Sequence, residues 1–282
     1  MNISPFSHQH VPETLRLSTQ VNWNHIDQDW QRSIDLSPHF CLGGFIDDHL
    51  IGTSSLTQFG DLGWLSTFII DSAHQRKGYG SMLLKEVLRR AEARGVTWFA
   101  VDSSDVGRPI YNRLGFVLDE PIERWTGPNG GDEVTKSQPL TEAHWPALLA
   151  FDRESVGVDR ERQLRHLVAE PSATARVLLQ NGRLVAFGFS RRGRLAGAIG
   201  PVVAQDDDSA KQIIDALLAD RRTLDGERGI ALDLLGHPEF KTYVTTRGFV
   251  MRRQNIRMFR PEKKRAVLAG PHVYAATALG MG

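Results

Sequence analysis

The amino-acid sequence runs through the same series of elements twice. In the first half Phe40 to Ile46 is apolar, Asp47-Asp48-His49 turns the chain, and Leu50 to Gln58 runs back. Gly60-Asp61-Leu62-Gly63 turns it again and Trp64 to Ile70 is a third strand, an antiparallel meander. In the second half Ala175 to Gln180 is a strand, Asn181-Gly182 is a strong hairpin signal and Arg183 to Arg191 returns. Arg192-Gly193 then turns, and Arg194 to Ile199 leads into Gly200-Pro201-Val202-Val203. A helix follows each meander. Gly80 to Arg94 carries Leu83, Leu84, Val87, Leu88 and Ala91 on one face and stops at Gly95; Ser209 to Arg221 carries Ile213, Ile214, Leu217 and Leu218. A strand comes next, Thr97 to Val101 and Ile230 to Leu234. Each copy then has a short helix ending in the same tripeptide, Gly115-Phe116-Val117 and Gly248-Phe249-Val250.

Helical segments, Pro12 to Asp35 and Thr141 to Glu170, open the two copies. An internal duplication accounts for the pattern, with the join near Pro128 to Pro139, where Gly, Pro and Asn cluster. The expectation is an α/β (α+β) chain of two tandem domains, residues 1–128 and 137–282. Each would be a mixed, mostly antiparallel sheet flanked by helices.

Composition removes several classes of function. Lys+Arg 34 against Asp+Glu 33 gives a net charge of +1, so no global field recruits nucleic acid or an anionic membrane. The single cysteine, Cys41, excludes an intrachain disulfide, a CxxC redox pair and a cysteine-rich zinc site. The ten histidines form no HxxxH pair, so no metal is implied. Met1 to Thr14 lacks the basic-then-apolar order of a signal peptide, and Leu195 to Ala204 is too short to span a bilayer. A cytoplasmic protein without a membrane segment is expected.

The segment that points to chemistry is Gln75-Arg76-Lys77-Gly78-Tyr79-Gly80-Ser81, between an apolar strand and an amphipathic helix. A glycine-rich turn of this kind leaves backbone N–H groups pointing outward at the positive end of a helix dipole. Gly78 and Gly80 clear the approach for a pyrophosphate, and Arg76 and Lys77 add charge. A Rossmann fingerprint would need a third glycine where Leu83 stands, and a Walker A loop would need Gly-Lys-Ser/Thr. On these residues alone, a tight turn with a solvated basic pair is the other reading.

Gln75 to Gly80 resembles the (Gln/Arg)-x-x-Gly-x-(Gly/Ala) signature of the GNAT superfamily of N-acetyltransferases. Tyr111-Asn112-Arg113-Leu114-Gly115-Phe116 is similar to that family's Tyr-x-x-x-Gly-Phe segment. The resemblance covers roughly residues 40 to 120. It implies acetyl-CoA as the cofactor, held by Gln75, Arg76, Lys77, Gly78, Tyr79, Gly80 and Ser81. It also implies a splayed strand whose backbone at Phe68, Ile69 and Ile70 pairs with the pantetheine arm. Tyr111 resembles the family tyrosine that protonates the departing thiolate. A phenol of pKa about 10 can donate to a thiolate whose acid has pKa about 8.5. The CoA-contacting asparagine that the family often carries seven residues before this tyrosine is Ser104 here. Many relatives carry a glutamate on the strand before the loop, where this chain has Ser66 and Thr67. The candidates for the general base are Asp102, His25 and Asp29. Trp23, Asn24, His25, Asp29 and Trp30 are the substrate candidates, in a region that lines the acceptor pocket in the family. The tryptophans read equally well as core anchors. Asp27 or Asp29 would suit a cationic amine.

The second copy looks disabled. With Gly115-Phe116 laid on Gly248-Phe249, Tyr111 falls on Val244, and Tyr243 stands one residue, about 100°, away. The glycine loop becomes Gln205-Asp206-Asp207-Asp208-Ser209, whose aspartates suit a helix N-terminus and repel a pyrophosphate. Such a domain would complete the acceptor site or mediate a homodimer. Asp152, Gly157, Asp159, Arg160 and the segment Tyr274 to Gly280 resemble parts of the non-catalytic domain in tandem relatives; an ordinary helix-linker-helix is the other reading. The basic run Arg247, Arg252, Arg253, Arg257, Arg260, Lys263, Lys264, Arg265 reads as a solvated face, because only Phe249 and Phe259 interleave it as aromatic platforms. The reaction expected is acetyl transfer from acetyl-CoA to a primary amine of a small molecule by direct attack in a ternary complex. The alternatives are an acyl-CoA sensor without turnover and a modifier of protein or nucleic acid acting through the basic run.

Overall fold

Alternating apolar strands and one-sided helices give this chain two α/β units in a computed structural model that describes residues 1–130, 135–225, 228–261 and 270–278. The first unit comprises Met1–Glu120 and the chain from Ile256 to Pro261. Its elements are β1 (Asn2–Pro5), α1 (Val11–Gln20), α2 (Asp27–Leu36), β2 (Leu42–Ile46), β3 (His49–Phe59), β4 (Leu62–Ile70), α3 (Tyr79–Glu92), β5 (Trp98–Ser103), α4 (Arg108–Arg113) and the start of β6 (Val117–Gly127). β1 to β4 pair antiparallel in sequence order, and β4 pairs parallel with β5.

The periodic apolar stripe of α3 explains its seat. Leu83, Leu84, Val87, Leu88 and Ala91 are buried against Phe40, Leu42, Leu56, Leu65 and Val101 of the sheet. A second apolar cluster joins Leu17 of α1 and Trp30 and Ile34 of α2 to Phe6, Cys41, Leu50 and Ile69. The expected single helical segment from Pro12 to Asp35 is two helices. Asn22 takes a left-handed φ of +54°, and the Trp23 N–H turns back to the Ser18 carbonyl at 2.9 Å, which ends α1. The Asp29 carboxylate then accepts the Ile26 N–H at 2.9 Å and starts α2. Trp23, Asn24 and His25 therefore stand on a loop.

The second unit comprises Pro121–Asn255 and the segment 270–278. After the rest of β6 come β7 (Gln138–Pro139), α5 (Trp145–Val156), α6 (Glu161–Ala169), β8 (Thr174–Gln180), β9 (Arg183–Arg191) and β10 (Gly197–Ala204). α7 (Asp207–Asp225), β11 (Ile230–Leu234), α8 (Pro238–Thr246), β12 (Val250–Arg260) and β13 (Val273–Ala275) complete it. β7 to β10 are antiparallel neighbours, and β10 pairs parallel with β11, as β4 does with β5. Its core packs Ile213, Ile214, Leu217 and Leu218 of α7 on Val202, Leu232 and Val244. The third strand of this meander begins at Gly197, three residues later than the Arg194 start expected.

The halves of the sequence exchange strands. The last part of β12 pairs with β5 in the first unit, with Arg257 opposite Asp102 and Phe259 opposite Ala100. The later part of β6 pairs with β11 in the second, from Glu123 opposite Leu234 to Gly127 opposite Ile230. The Gly- and Pro-rich stretch between Pro128 and Pro139 therefore lies inside the second unit, and its residues 131–134 are outside the described ones.

Candidate active site

The chemistry-bearing residues of the first unit gather where β4 and β5 part. Their parallel register runs from Leu62 opposite Trp98 to Leu65 opposite Val101 and ends there. From Ser66 onward β4 has no β5 residue paired beside it among the described residues, and of its carbonyls Thr67 is taken by Thr53 and Ile70 by Gln75. A bulge re-aims β4 at the same point. Thr53 faces Ile69 and Ser55 faces Ser66, which leaves Thr67 and Phe68 opposite the single residue Ser54. Thr67 takes a φ of +47°, unusual for a β-branched residue. Hydroxyl groups hold it there. Thr53 Oγ1 donates to the Thr67 carbonyl at 2.7 Å, and Ser55 Oγ hydrogen-bonds both Ser66 Oγ and Thr67 Oγ1 at 2.7 Å.

Beyond β4 the chain is locked before it reaches the glycine loop. Asp71 accepts from the Ala73 N–H at 3.0 Å, from Arg16 at 2.5 Å and from Gln20 at 3.4 Å. Burial works against its charged form, but these hydrogen bonds outweigh it and hold the carboxyl below its ordinary range. Gln75 Nε2 donates to the Ile70 carbonyl at 3.0 Å and Lys77 Nζ to the Ala73 carbonyl at 3.1 Å. Arg76 (φ +61°) and Gly78 (φ +83°) both turn left-handed, and Gly78 caps α3. Residues 75–78 are exposed, and Tyr79, Gly80 and Ser81 are partly so. The first turn of α3 therefore starts at an exposed loop, with Arg76 and Lys77 beside its N–H groups. Gly80 has its own constraint, because a Cβ there would stand 2.9 Å from the Phe68 ring.

Tyr111 on α4 reaches the same place. Its ring packs edge-on to Phe68 at 6.2 Å and to Phe116 at 5.5 Å. The hydroxyl makes no hydrogen bond within the described residues. Burial pushes the phenol well above its ordinary range, so it is a donor at every physiological pH. Ser104 is exposed, and its hydroxyl accepts the Gly107 N–H at 3.3 Å ahead of α4.

The other expected residues are placed differently. Asp102 is fully buried and bound by Arg257, Nε to Oδ1 at 2.8 Å and Nη2 to Oδ2 at 3.3 Å. That guanidinium also lies 4.7 Å from the Trp64 ring and 3.8 Å from Glu120. For Asp102 to take a proton from an ammonium, it would have to break this pair. Asp29 is likewise engaged, by Arg32 at 2.6 Å and by the Ile26 N–H. Trp30 is wholly buried against Phe6, a core anchor. Trp23 and His25 are partly exposed with ring centroids 5.1 Å apart, Asn24 beside them is also partly exposed, and Asp27 is exposed. Cys41 is buried, which pushes its thiol up and keeps it from serving as a nucleophile. The basic run is not one solvated face. Arg257 is fully buried, Arg247 pairs with Asp215 and Arg260 with Glu92, while Lys263, Lys264 and Arg265 lie outside the described residues. Local spacing could not signal Arg16, Arg257 or the Ser55–Thr67 hydroxyls, because each meets its partner across distant strands or helices.

In the second unit the loop between β10 and α7 is closed by its own acids. Asp206 accepts the Ser209 N–H at 2.8 Å, Asp207 accepts the Tyr274 hydroxyl at 2.7 Å and Asp208 pairs with Lys211. Tyr243 donates to Asp215, and Val244 is buried in the core.

The first unit thus brings together a parallel pair that parts, a bulged strand, a helix N-terminus presented by a glycine turn and a buried phenol packed on Phe68. Both halves of the sequence match acetyltransferase family models. Residues 8–116 match the family model for the acetyltransferase (GNAT) family, and residues 148–273 match that for an acetyltransferase (GNAT) domain. The chain belongs to the GNAT acetyltransferases, with two GNAT domains in tandem. The uncharacterized N-acetyltransferase YitH of Bacillus subtilis is 24% identical over 218 residues, 76% of this chain and 77% of that protein. A putative acetyltransferase from Pyrococcus horikoshii superposes with a TM-score of 0.82 at 19% identity, covering 100% of this chain and 95% of its own. A tandem GNAT protein from the clavulanic acid biosynthesis pathway gives 0.65 at 12% identity, covering 92% and 97%. No helix among the described residues is long and apolar enough to cross a membrane. No group of three or more His, Cys, Asp or Glu side chains among them could hold a metal ion.

Proposed function

We propose that the first unit takes acetyl-CoA and passes the acetyl group to a primary amine of a small molecule by direct attack in a ternary complex. The observation that carries this reading is the stretch of β4 beyond Leu65 that has no strand beside it among the described residues; it leads from the Thr67 bulge to the exposed N-terminus of α3, and the buried Tyr111 ring packs on its Phe68. An extended ligand with amide groups at one end and phosphates at the other suits such a track. The edge at Phe68, Ile69 and Ile70 would pair with the amides, and residues 75–81 would face the phosphates. When bound, acetyl-CoA supplies an acyl group activated as a thioester. N–H groups at the end of β4 are placed to polarise its carbonyl. Tyr111 holds the proton that the departing thiolate takes. With Asp102 and Asp29 each committed to an arginine, His25 is the proton acceptor carried into the proposal.

The test is calorimetric titration of acetyl-CoA into the intact protein, followed by turnover with a panel of small amines. One equivalent per chain, abolished by Gly80→Leu, with turnover of an amine, is the expected result. The absence of binding would sink the reading. An acyl-CoA sensor is the second reading, favoured by the ion pairs that occupy both carboxylate candidates, and it predicts tight binding with no turnover.

A further inference from the structure

The two units treat the same opening differently. In the second, the parallel pair β10–β11 runs from Gly197 opposite Ile230 to Ile199 opposite Leu232 and then parts. The parting again lies beside a register shift, here between Ile199 and Val202. At that point β13 enters the gap. Val202 faces Ala275 and Val203 faces Val273 on one side, and Leu234 faces Ala275 on the other. The Ala204 N–H donates to the His272 carbonyl at 2.9 Å, the Leu235 N–H to Tyr274 at 3.2 Å, and the Ala276 N–H to Asp233 at 2.9 Å. Backbone groups that the parting of two strands would leave unpaired are thus met on both sides by a third.

Side chains close around the same segment. Residues 273–277 are all buried. The Tyr274 ring stacks on His237 at 3.8 Å and meets Phe240 edge-on at 5.0 Å, while its hydroxyl reaches Asp207 in the first turn of α7. Arg160, buried and held by Asp152 at 2.6 and 3.1 Å, donates to Thr277 Oγ1 at 3.3 Å. The two segments singled out in the sequence, around Asp152–Arg160 and Tyr274, therefore meet here. Gly200 (φ +155°) fits because a Cβ at that position would lie 2.0 Å from the Ala276 carbonyl oxygen.

We infer that the strand split of the second unit is a peptide-binding cleft whose ligand is the chain's own segment 273–277, an extended strand with one tyrosine among small residues. This occupant takes the backbone edges and the helix-start contact that a cofactor would need, so the second unit is closed to acetyl-CoA.

Hydrogen exchange read by mass spectrometry on the intact protein tests this without any cofactor, and so independently of the first unit's activity. The amides of Ala204, Leu235 and Ala276 are expected to be as protected as the core strands. Full-length Gly200→Val, whose side chain cannot coexist with the Ala276 carbonyl, should lose protection across 270–278 and at Leu235 while α3 keeps its own. If that variant does not fold, Tyr274→Phe, which removes only the bond to Asp207, should speed exchange over 272–277 by about tenfold. Fast exchange of 272–277 in the unaltered protein would overturn the inference. So would new protection over 204–210 when acetyl-CoA is added.

Discussion

Replacing Tyr111 by Phe separates chemistry from packing. The ring's contacts with Phe68 and Phe116 survive the change, and the hydroxyl has no hydrogen-bond partner within the described residues to leave orphaned. Stability should therefore move by less than about 0.5 kcal/mol. If the phenol is the acid, kcat should fall by roughly 10²–10⁴, or about 2.7–5.4 kcal/mol of barrier. Because burial raises the phenol's pKa, the unaltered enzyme should keep its alkaline activity through pH 10, where an ordinary tyrosine would be half ionised. Tyr111→Ala should behave differently, losing roughly 3–5 kcal/mol of folding free energy because the ring's volume is lost as well. The assay is steady-state acetylation of the best amine with thioester loss monitored, alongside urea denaturation of each variant. A Tyr111→Phe enzyme with unaltered kcat would refute the assignment. A matching loss of stability would show the hydroxyl to be structural.

Other perturbations read other parts of the site. Asp102→Ala leaves the buried Arg257 without its bidentate partner and should cost about 3–5 kcal/mol in urea unfolding; pairing it with Arg257→Met should restore most of that. Gly80→Val drives a side chain toward the Phe68 ring at the start of α3 and should weaken acetyl-CoA binding at least tenfold by calorimetry, roughly 1.4 kcal/mol. Asp71→Asn should cost about 1–2 kcal/mol near neutral pH. Since the folded carboxyl lies below its unfolded value, that stabilisation is present above the unfolded pKa of about 3.9 and disappears as pH falls through the folded one. The difference in thermal midpoint between the two proteins should therefore be constant from pH 5 to 8 and shrink below about pH 4. His25→Asn should lower kcat with the best amine by at least about tenfold while acetyl-CoA binding by calorimetry stays unchanged; an unaltered kcat would remove His25 as the proton acceptor.

What could be read along the chain is what depends on neighbours in sequence. The apolar stripe of α3, the Asn181-Gly182 hairpin, the glycine turn at 75–81 and the displacement of Tyr243 by one residue all rest on local periodicity and backbone preference. The split of Pro12–Asp35 into two helices was missed because a left-handed Asn22 needs no glycine to announce it. The roles of Asp102, Asp29 and Trp30 could not be read either. A carboxylate in sequence is the same whether it faces a substrate or an arginine, and Arg257 is brought to Asp102 by strand pairing across the two halves of the chain.

The amino-acid sequence by itself determined the duplication, the class of each half and the turn that presents α3, because these follow from short-range sterics and hydrophobic spacing. Tertiary structure alone decided which strand lies beside β5, which acids are engaged by arginines, and that β13 fills the opening of the second unit while among the described residues the one beside β4 has no such strand. Those outcomes depend on backbone edges and buried charges finding partners far away in the chain, and no local pattern records where such partners are.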